Sequence, residues 1–409
     1  MTWTPVVTVT IAGTEYTGNT VDVVQLRRGR ANVYTTIQAA VASVTLYDFT
    51  GAGIVPTVAS PMIVTLENTG GMPVTLFVGE VSDWQTTIYD AGIKNSAAAS
   101  VKITAVSNLA KLQRRQVFAT GRPVEKDGTR ILDILLDGLG LSWEDATGVW
   151  DDFTAQTWAT VDPTIDFSIV DTPGVYDIAA LGAQDGGYSA GQIAGDAGLS
   201  AAGLLYETGD GRIGYADALR RFTNAQAGYL PVPAGVLSAS GVTSNSQIAD
   251  LATVVVVQYA GGEVTESDTA SINEFGRLTQ TLATQLQNAP DAALRATGYL
   301  ESHSQPTIQF ENATVRLEQD LTGTLRDALI GIEVNDAIQI DSLPITLGLT
   351  TFAGFVEGMV FTIDPFRAAI DLTVSSANLS LGPLFWAALP AIAWQDVPAD
   401  LEWSQAGGL

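Results

Sequence analysis

The chain has 409 residues, a length sufficient for roughly two to four domains. Of its residues 46% are hydrophobic and only 15% are charged, a composition that argues against disorder. It contains no cysteine and one histidine, which excludes disulfides, thiolate zinc sites, iron–sulfur clusters, cysteine nucleophiles and multi-histidine metal sites. The formal net charge of −25 gives an acidic surface that repels phosphate backbones, so a direct nucleic-acid binder is not expected.

No run of apolar residues reaches the roughly 18 that a membrane-spanning helix needs. The first residues, Met1–Pro5, lack the basic and apolar regions of a signal peptide. We therefore expect no membrane-spanning segment and no secretion.

Residues 1–115 consist of short runs rich in Val, Thr and Ile, the pattern of half-buried strands. Strands are predicted at 6–11, 21–26, 42–47, 61–66 and 74–78. A tight hairpin is predicted at Asn68–Gly71, because paired glycines readily adopt the positive φ that such a turn requires. The segment should fold as a first antiparallel β-barrel or sandwich domain.

Residues 116–225 change to helical patterning and predict a small α+β domain. The elements predicted there are a helix over 129–139, a helix from Ser189 to about Ala201, and hairpin strands at 203–207 and 212–216. Asp127 or Thr129 is available to cap the first helix. The apolar face of this helix consists of Ile131, Leu132, Leu135 and Leu139.

Strand patterning resumes in residues 226–382, which predict a second antiparallel β-barrel or sandwich domain with an inserted helix. Leu251–Tyr259 is an apolar run short enough to be a central strand. The other elements predicted are strands at 276–286 and 307–317 and helices at 290–301 and 324–330. The expected fold class is therefore mainly β, with two similar β-domains flanking a small α+β domain.

Residues 383–409 form a C-terminal arm in which Pro383, Pro390 and Pro398 interrupt any long helix. The arm contains three tryptophans, Trp386, Trp394 and Trp403. Such large aromatics have little core of their own to enter, so they are candidates for docking on a neighbouring subunit. The alternative is that the arm folds back on its own β-domain.

One β-pattern occurs twice in the chain. Gly79–Ile88 and Gly354–Ile363 carry Gly, Val, Thr and Ile in the same four places. Each is followed by a similar second strand pattern, at Ser100–Asn108 and Ala369–Asn378. A duplicated β-unit around an unrelated middle, in a chain poor in catalytic residue types, favours a role in assembly over a role in chemistry.

Two patterns imitate active-site motifs. Ser189 lies in a G-x-S-x-G sequence with His303 downstream, but a nucleophile elbow needs an apolar strand before the serine, and a loop sequence precedes it. We expect Ser189 to cap a helix, and His303 to lie at a helix end where a cationic side chain meets free carbonyls. Residues 209–214 fit G-x-G-x-x-G, but both flanks read as strands, so we expect a turn and no nucleotide site.

Acidic residues gather in the middle of the chain, at Asp137, Glu144, Asp145, Asp151 and Asp152. The spacing is not that of a calcium-binding EF-hand loop, which alternates acidic residues around a central glycine. We therefore expect a solvated acidic loop, with no metal and no cofactor.

Several segments, taken in order, resemble the tail hub proteins of long-tailed phages, known as minor tail proteins in phages of actinobacteria and related to the baseplate hub family. The resemblance rests on Val24–Arg30 with its Arg-Gly-Arg element, Ala42–Asp48, Leu76–Trp84, Thr104–Leu112 and Gly203–Arg212. It covers most of the chain, whereas the C-terminal arm matches only in general character.

The resemblance implies a structural virion protein of the tail tip, assembled in the host cytoplasm and without catalytic activity. In such hubs three subunits with two barrels each form a six-barrel ring, which joins the sixfold tail tube and distal tail protein to threefold tip proteins. The implied neighbours include the tape-measure protein, and DNA passes the central channel without being held during ejection and host entry. The alternatives are a carbohydrate-binding adhesin that uses exposed tryptophans, and an enzyme that uses Ser189 with His303 or a carboxylate pair acting on glycans.

Overall fold

The computed structural model describes residues 3–31, 35–49, 53–89, 99–115, 121–139, 165–182, 188–245, 250–307, 309–319, 321–345 and 349–377. Strands predominate in this part of the chain. The mainly β fold class with an α+β insertion is confirmed.

The N-terminal part is a series of strands that ends in a helix. Its elements are β1 (Val7–Ile11), β2 (Thr14–Thr17), β3 (Val21–Gly29), β4 (Gln38–Asp48), β5 (Pro61–Glu67), β6 (Pro73–Ile88), β7 (Ala99–Ser107) and α1 (Asn108–Arg114). Apolar and polar residues alternate along these strands, so that Val7, Val9 and Ile11 of β1 are buried and the residues between them are half-buried. Burial of one face of each strand is the main force that holds the segment together.

The middle part combines short strands with helices. Its elements are β8 (Glu125–Lys126), α2 (Asp127–Leu139), β9 (Ile165–Val170), β10 (Asp177–Ile178), α3 (Ala190–Ser200), β11 (Leu204–Glu207), β12 (Ile213–Ala216) and α4 (Arg220–Ala227). The predicted helices and hairpin are confirmed. Asp127 lies in the first turn of α2, and its carboxylate accepts hydrogen bonds from the Tyr176 backbone N–H and the Tyr215 hydroxyl, at 2.7 and 2.6 Å.

The C-terminal part returns to strands. Its elements are β13 (Leu230–Pro233), β14 (Leu237–Asn245), β15 (Val254–Tyr259), β16 (Gly262–Ser267), α5 (Thr269–Phe275), β17 (Thr279–Ala283), α6 (Ala289–His303), β18 (Gln309–Arg316), α7 (Gly323–Ile330), β19 (Ala337–Asp341), β20 (Thr351–Ile363) and β21 (Ala368–Ser376). The predicted central strand is β15, which lies between β16 and β17.

Thirteen strands form one large sheet. Its main path runs β14-β18-β21-β20-β3-β4-β7-β6-β5-β1-β2, with β19 paired to β20 and β13 paired to β19. Within the described residues this path is open at both ends, so the strand pairings do not close either half into a barrel.

The sheet contains the same arrangement twice. Strands β3, β4, β7, β6 and β5 lie side by side in that order and form the first module; β14, β18, β21, β20 and β19 lie in the same order and form the second module. Neighbouring strands are antiparallel within both modules. The duplication predicted from the two similar stretches is therefore confirmed at the level of strand order.

One hydrophobic core runs through both modules and also includes residues of helices α1, α2, α3 and α7. The fully buried side chains in it include Leu26 and Phe77 of the first module and Phe310 and Phe361 of the second. Because these residues belong to one contiguous cluster, the two modules pack as one body.

A second, smaller core lies under the three-stranded sheet β16-β15-β17. Val255 and Val257 of β15 pack there with Ala292 and Ala296 of α6, and Ile178 of β10 joins them. The sequence predicts an inserted helix in the second β-domain, whereas the structure has a helix together with this separate sheet. An apolar strand such as β15 does not show from its sequence which sheet it will join.

Candidate assembly site at the junction of the two modules

Strand β20 joins the two modules because its outer edge is shared between two neighbours. Residues 351–355 pair with β19 of the second module, and residues 358–363 pair with β3 of the first. The change of partner occurs at a β-bulge at Glu357, where the register of β20 against β21 also shifts. Since a bulge bends the strand and redirects its side chains, one strand serves two partners here.

The first module has the same bulge at the equivalent position of β6. There the register against β7 shifts at Ser82. Gly79 and Gly354 each lie three residues before the bulge, and a β-carbon on either glycine would overlap a backbone carbonyl oxygen of the adjacent strand. The glycine shared by the two repeats is therefore required by close approach of two backbones.

The loops before β5 and β19 confirm the equivalence of the two bulged strands. Val81 exchanges two backbone hydrogen bonds with residues 59–60, at 2.8 and 2.9 Å, and Val356 exchanges two with residues 335–336, at 2.7 and 3.0 Å. The first residue of each loop pair has a positive φ, 67° in the first module and 78° in the second. The two modules thus share loop conformation as well as strand order.

Glu357 is fully buried and binds two arginines from other parts of the chain. Its Oε2 accepts hydrogen bonds from Arg30 Nε at 2.7 Å and Arg221 Nη2 at 2.9 Å, and its Oε1 lies 2.8 Å from Arg221 Nη1. The hydroxyl of Ser375 on β21 also donates to Oε1. Arg30 directly follows β3 and Arg221 belongs to α4, so one carboxylate connects both modules and the middle part of the chain.

The two arginines keep Glu357 ionised despite its burial. Burial by itself raises the pKa of Glu357, but the charges of Arg221 and Arg30 outweigh burial and hold that pKa well below its usual range. Arg221 also donates to the side-chain oxygen of Asn335 at 2.7 Å. Separating buried charges from their partners is strongly unfavourable, so this cluster opposes any displacement of one module against the other.

A second ion pair crosses the same junction. Arg28 Nη1 lies 2.7 Å from Glu333 Oε2, and the Gly209 backbone N–H donates to Glu333 Oε1 at 3.0 Å. The other terminal nitrogen of Arg28 lies 3.2 Å from the sulfur of Met359 on β20. Because Arg28 belongs to the first module, Met359 to the second and Gly209 to the hairpin turn, three parts of the chain again meet at one arginine.

The hairpin β11–β12 docks on the end of β7. Asn108 donates its backbone N–H to Glu207 Oε1 and its side-chain amide to the Gly211 carbonyl, both at 2.9 Å. Burial raises the pKa of Glu207 to about 7. Both flanks of residues 209–214 are strands, and Gly211 has a φ of 82°, so the glycine pattern is a turn as predicted.

The two residues of the predicted serine-hydrolase alternative have separate structural roles. Ser189 Oγ accepts a hydrogen bond from the Gln192 backbone N–H at 3.1 Å and caps α3, as predicted. His303 ends α6, with Nδ1 2.9 Å from the Tyr299 carbonyl oxygen and its ring stacked on Tyr299 at 3.8 Å. Burial lowers the pKa of His303 to about 4, so it is neutral at neutral pH and the expectation of a cationic side chain is wrong.

Other predicted residues lie outside the described ranges: Trp386, Trp394, Trp403, Glu144, Asp145, Asp151 and Asp152. Asp137 is described and pairs with Arg122. Among the described residues, no group of three or more His, Cys, Asp or Glu side chains is placed to hold a metal ion. In the same ranges no helix is long and apolar enough to cross a bilayer.

The sequence alone does not show the role of the charged residues at the junction, although two of them, Arg28 and Arg30, belong to its Arg-Gly-Arg element. One signal was available in Glu357, which interrupts an otherwise apolar strand. A charge in such a position is almost always paired when the strand is buried. The identity of its partners could not be read, because Arg30 and Arg221 lie 327 and 136 residues away.

The fold with this doubled module and inserted α+β part is similar to the folds of two solved tail proteins. The 43 kDa tail protein of prophage MuSo2 from Shewanella oneidensis matches with a TM-score of 0.57 and 14% identity, over 92% of this chain and 100% of its own. A tail protein from Neisseria meningitidis MC58 matches with a TM-score of 0.60 and 9% identity, over 93% and 99%. No protein-family model and no curated protein sequence matches the chain.

Proposed function

We propose that this chain is a structural protein of a phage tail and forms a ring at the tail tip. Its fold is that of tail proteins, with almost complete coverage in both directions. The observation that carries the proposal is the pairing of β20 with β3, which places the two modules one after the other in a single sheet. Head-to-tail repetition of one contact produces a ring when the rotation closes.

We propose three copies per ring, a number that the two modules per chain support. Three copies provide six modules, which fit a sixfold tail tube on one side and threefold tip proteins on the other. The predicted neighbours are the distal tail protein, other tip proteins and the tape-measure protein. The C-terminal arm with Trp386, Trp394 and Trp403 is proposed to dock on such a neighbour.

The charge of the chain supports a channel that DNA passes without binding. A net charge of −25 repels phosphates, and each phosphate contact to a basic side chain would add salt-dependent affinity. We propose that the ring contributes to DNA ejection and host entry in this passive way. We propose no catalytic role for the ring, a proposal supported by the position of Ser189 as a helix cap and of the glycine pattern at 209–214 as a hairpin turn.

The test is the size and symmetry of the purified full-length chain. Light scattering over a range of concentrations should give about three times 42.9 kDa. Averaged electron-microscopy images of that species should show a threefold ring with six similar lobes around a hole. A chain that stays monomeric at every concentration, or a compact oligomer without a hole, would contradict the proposal.

A further inference from the structure

Strand β6 has an outer edge that is only half covered. Residues 73–80 pair with β5, and Val81 bonds to the loop before β5. From Asp83 to Ile88 the strand pairs with β7 on one side, and within the described residues no strand pairs with it on the other. The last four residues, 85–88, are exposed. An edge of this kind presents free backbone donors and acceptors to another strand.

The second module shows what covers the equivalent edge. Residues 358–363 of β20 occupy the same position after the bulge as residues 83–88 of β6, and they pair with β3 of the other module. The difference in coverage is clear at the strand ends, where Ile363 is 0% exposed and Ile88 is 56% exposed. The partner that completes β6 should therefore be the equivalent of β3, which is β14.

Strand β14 lies at the far end of the sheet with an edge of its own unpaired. Among the described strands it pairs only with β18. In the path β14-β18-β21-β20-β3-β4-β7-β6, the two open edges stand at opposite ends of the paired modules. Each chain therefore has two different unpaired edges, one on β6 and one on β14. A head-to-tail contact between copies requires two such different surfaces on each copy.

The internal junction also sets the register of the contact. The equivalent residues of the two modules are Val24–Arg27 of β3 and Val242–Asn245 of β14. They are equivalent because β4 and β7 of the first module, and β18 and β21 of the second, align with them at matching positions. The matching sets of opposed residues are Val24, Val44 and Ile103 in the first module and Val242, Ala313 and Leu372 in the second. In the internal junction Val360 faces Arg27 and Ile363 faces Val24.

We propose that the outer edge of β6 pairs antiparallel with β14 of a second copy, with Gln85 opposite Asn245, Thr86 opposite Ser244, Thr87 opposite Thr243 and Ile88 opposite Val242. This inference rests on the proposed ring and names the contact that would close it. The sheet then continues from copy to copy with the spacing that it has within one chain.

The two junctions differ in charge. The bulge residue of the internal junction is Glu357, which is buried against Arg30 and Arg221. Its equivalent in β6 is Ser82, whose hydroxyl donates to the Thr104 carbonyl of β7 at 3.1 Å. The contact between copies therefore lacks a buried carboxylate at this position. Residues 85–88 and 242–245 carry no charged side chain, so their pairing requires no desolvation of a charge at these positions.

Cysteine cross-linking tests the register directly, because the natural chain has no cysteine. One variant carries Thr86→Cys with Ser244→Cys, and a second carries Thr87→Cys with Thr243→Cys. The control carries Thr86→Cys with Thr243→Cys, which is one residue out of register. Each is oxidised with copper phenanthroline at concentrations where the wild type is oligomeric, and the products are separated on non-reducing gels.

We expect covalent oligomers of up to three copies in at least one in-register variant. The control should give at least about tenfold less covalent oligomer, because a slip of one residue places the two cysteines on opposite faces of the sheet. Hydrogen exchange should in addition show protection of residues 85–88 and 242–245 appearing together on assembly. Ile88→Lys should raise the concentration for half-assembly about tenfold or more, and Phe366→Lys, at another exposed site, should not.

The outcomes separate this inference from the proposed function. If a ring forms without in-register cross-links, or if the slipped control cross-links equally, the proposed strand register is wrong and the proposed ring still stands. Another tip protein would then cover the β6 edge. A wild-type chain that remains monomeric overturns the ring and the edge contact together.

Discussion

Replacement of Glu357 by Gln removes the charge that the two buried arginines share. Glutamine keeps one acceptor oxygen of similar position, so the change removes the ionic part of the contact with little change in volume. Removing one partner from a buried ion pair costs about 3–5 kcal/mol, because the remaining charge stays buried and unpaired. Since Arg30 and Arg221 would both lose their counter-charge, we expect a loss of about 4 kcal/mol in the free energy of unfolding.

Urea denaturation of the full chain, followed by circular dichroism, measures the total loss. Because two cores can unfold separately, hydrogen exchange of residues 24–30 and 357–363 should report the opening of the junction itself. The matched control is Glu80→Gln on β6, whose ion pair with Lys111 at 2.6 Å is exposed. That variant should change stability by less than about 0.5 kcal/mol.

Equal effects of the two substitutions would refute the reasoning, since they would mean that burial of the Glu357 cluster contributes nothing. The pH dependence gives a second check. A carboxyl whose pKa is lowered on folding stabilises the folded state above its unfolded pKa, and this contribution is lost as the pH falls through the folded pKa. The difference between wild type and the Glu357→Gln variant should therefore be constant at neutral pH and shrink in acid.

Burial raises the pKa of Glu207 to about 7. The protonated Glu207 stabilises the folded state below its unfolded pKa, and this stabilisation is lost as the pH rises through 7. The free energy of unfolding of the wild type should therefore fall by about 3 kcal/mol between pH 5 and 8, and that of Glu207→Gln should not. The same pH dependence of the free energy of unfolding in both proteins, measured by urea denaturation, would contradict this. Gly354→Ala should lower the free energy of unfolding by about 2 kcal/mol or more, because its β-carbon would overlap a backbone oxygen. The control Gly195→Ala, in open space on α3, should stabilise by about 0.5–1 kcal/mol; a calorimetric result with the same sign for both would be inconsistent with the packing described. Ser189→Ala should cost about 1 kcal/mol as a lost helix cap. Labelling of Ser189 by a serine-directed phosphonate would instead favour the hydrolase alternative.

Most individual elements could be predicted because their signals are local. The alternation of Val, Thr and Ile in β1 requires only that one face of a strand be buried. The cap at Ser189 and the turn at residues 209–214 depend on backbone groups a few residues away. His303 was placed correctly at a helix end, but its protonation state was predicted wrongly, because the sequence around it does not show that its side chain is buried.

The duplication could also be predicted from the sequence, because both copies carry a glycine, Gly79 or Gly354, at the position where two backbones approach closely. Only the tertiary structure decided how the copies are joined. Arg28 meets Glu333 across 305 positions of the chain, and Glu357 meets Arg30 across 327. Such pairs form because strands from both ends of the chain lie in one sheet. The local sequence of a strand does not determine which strand becomes its neighbour.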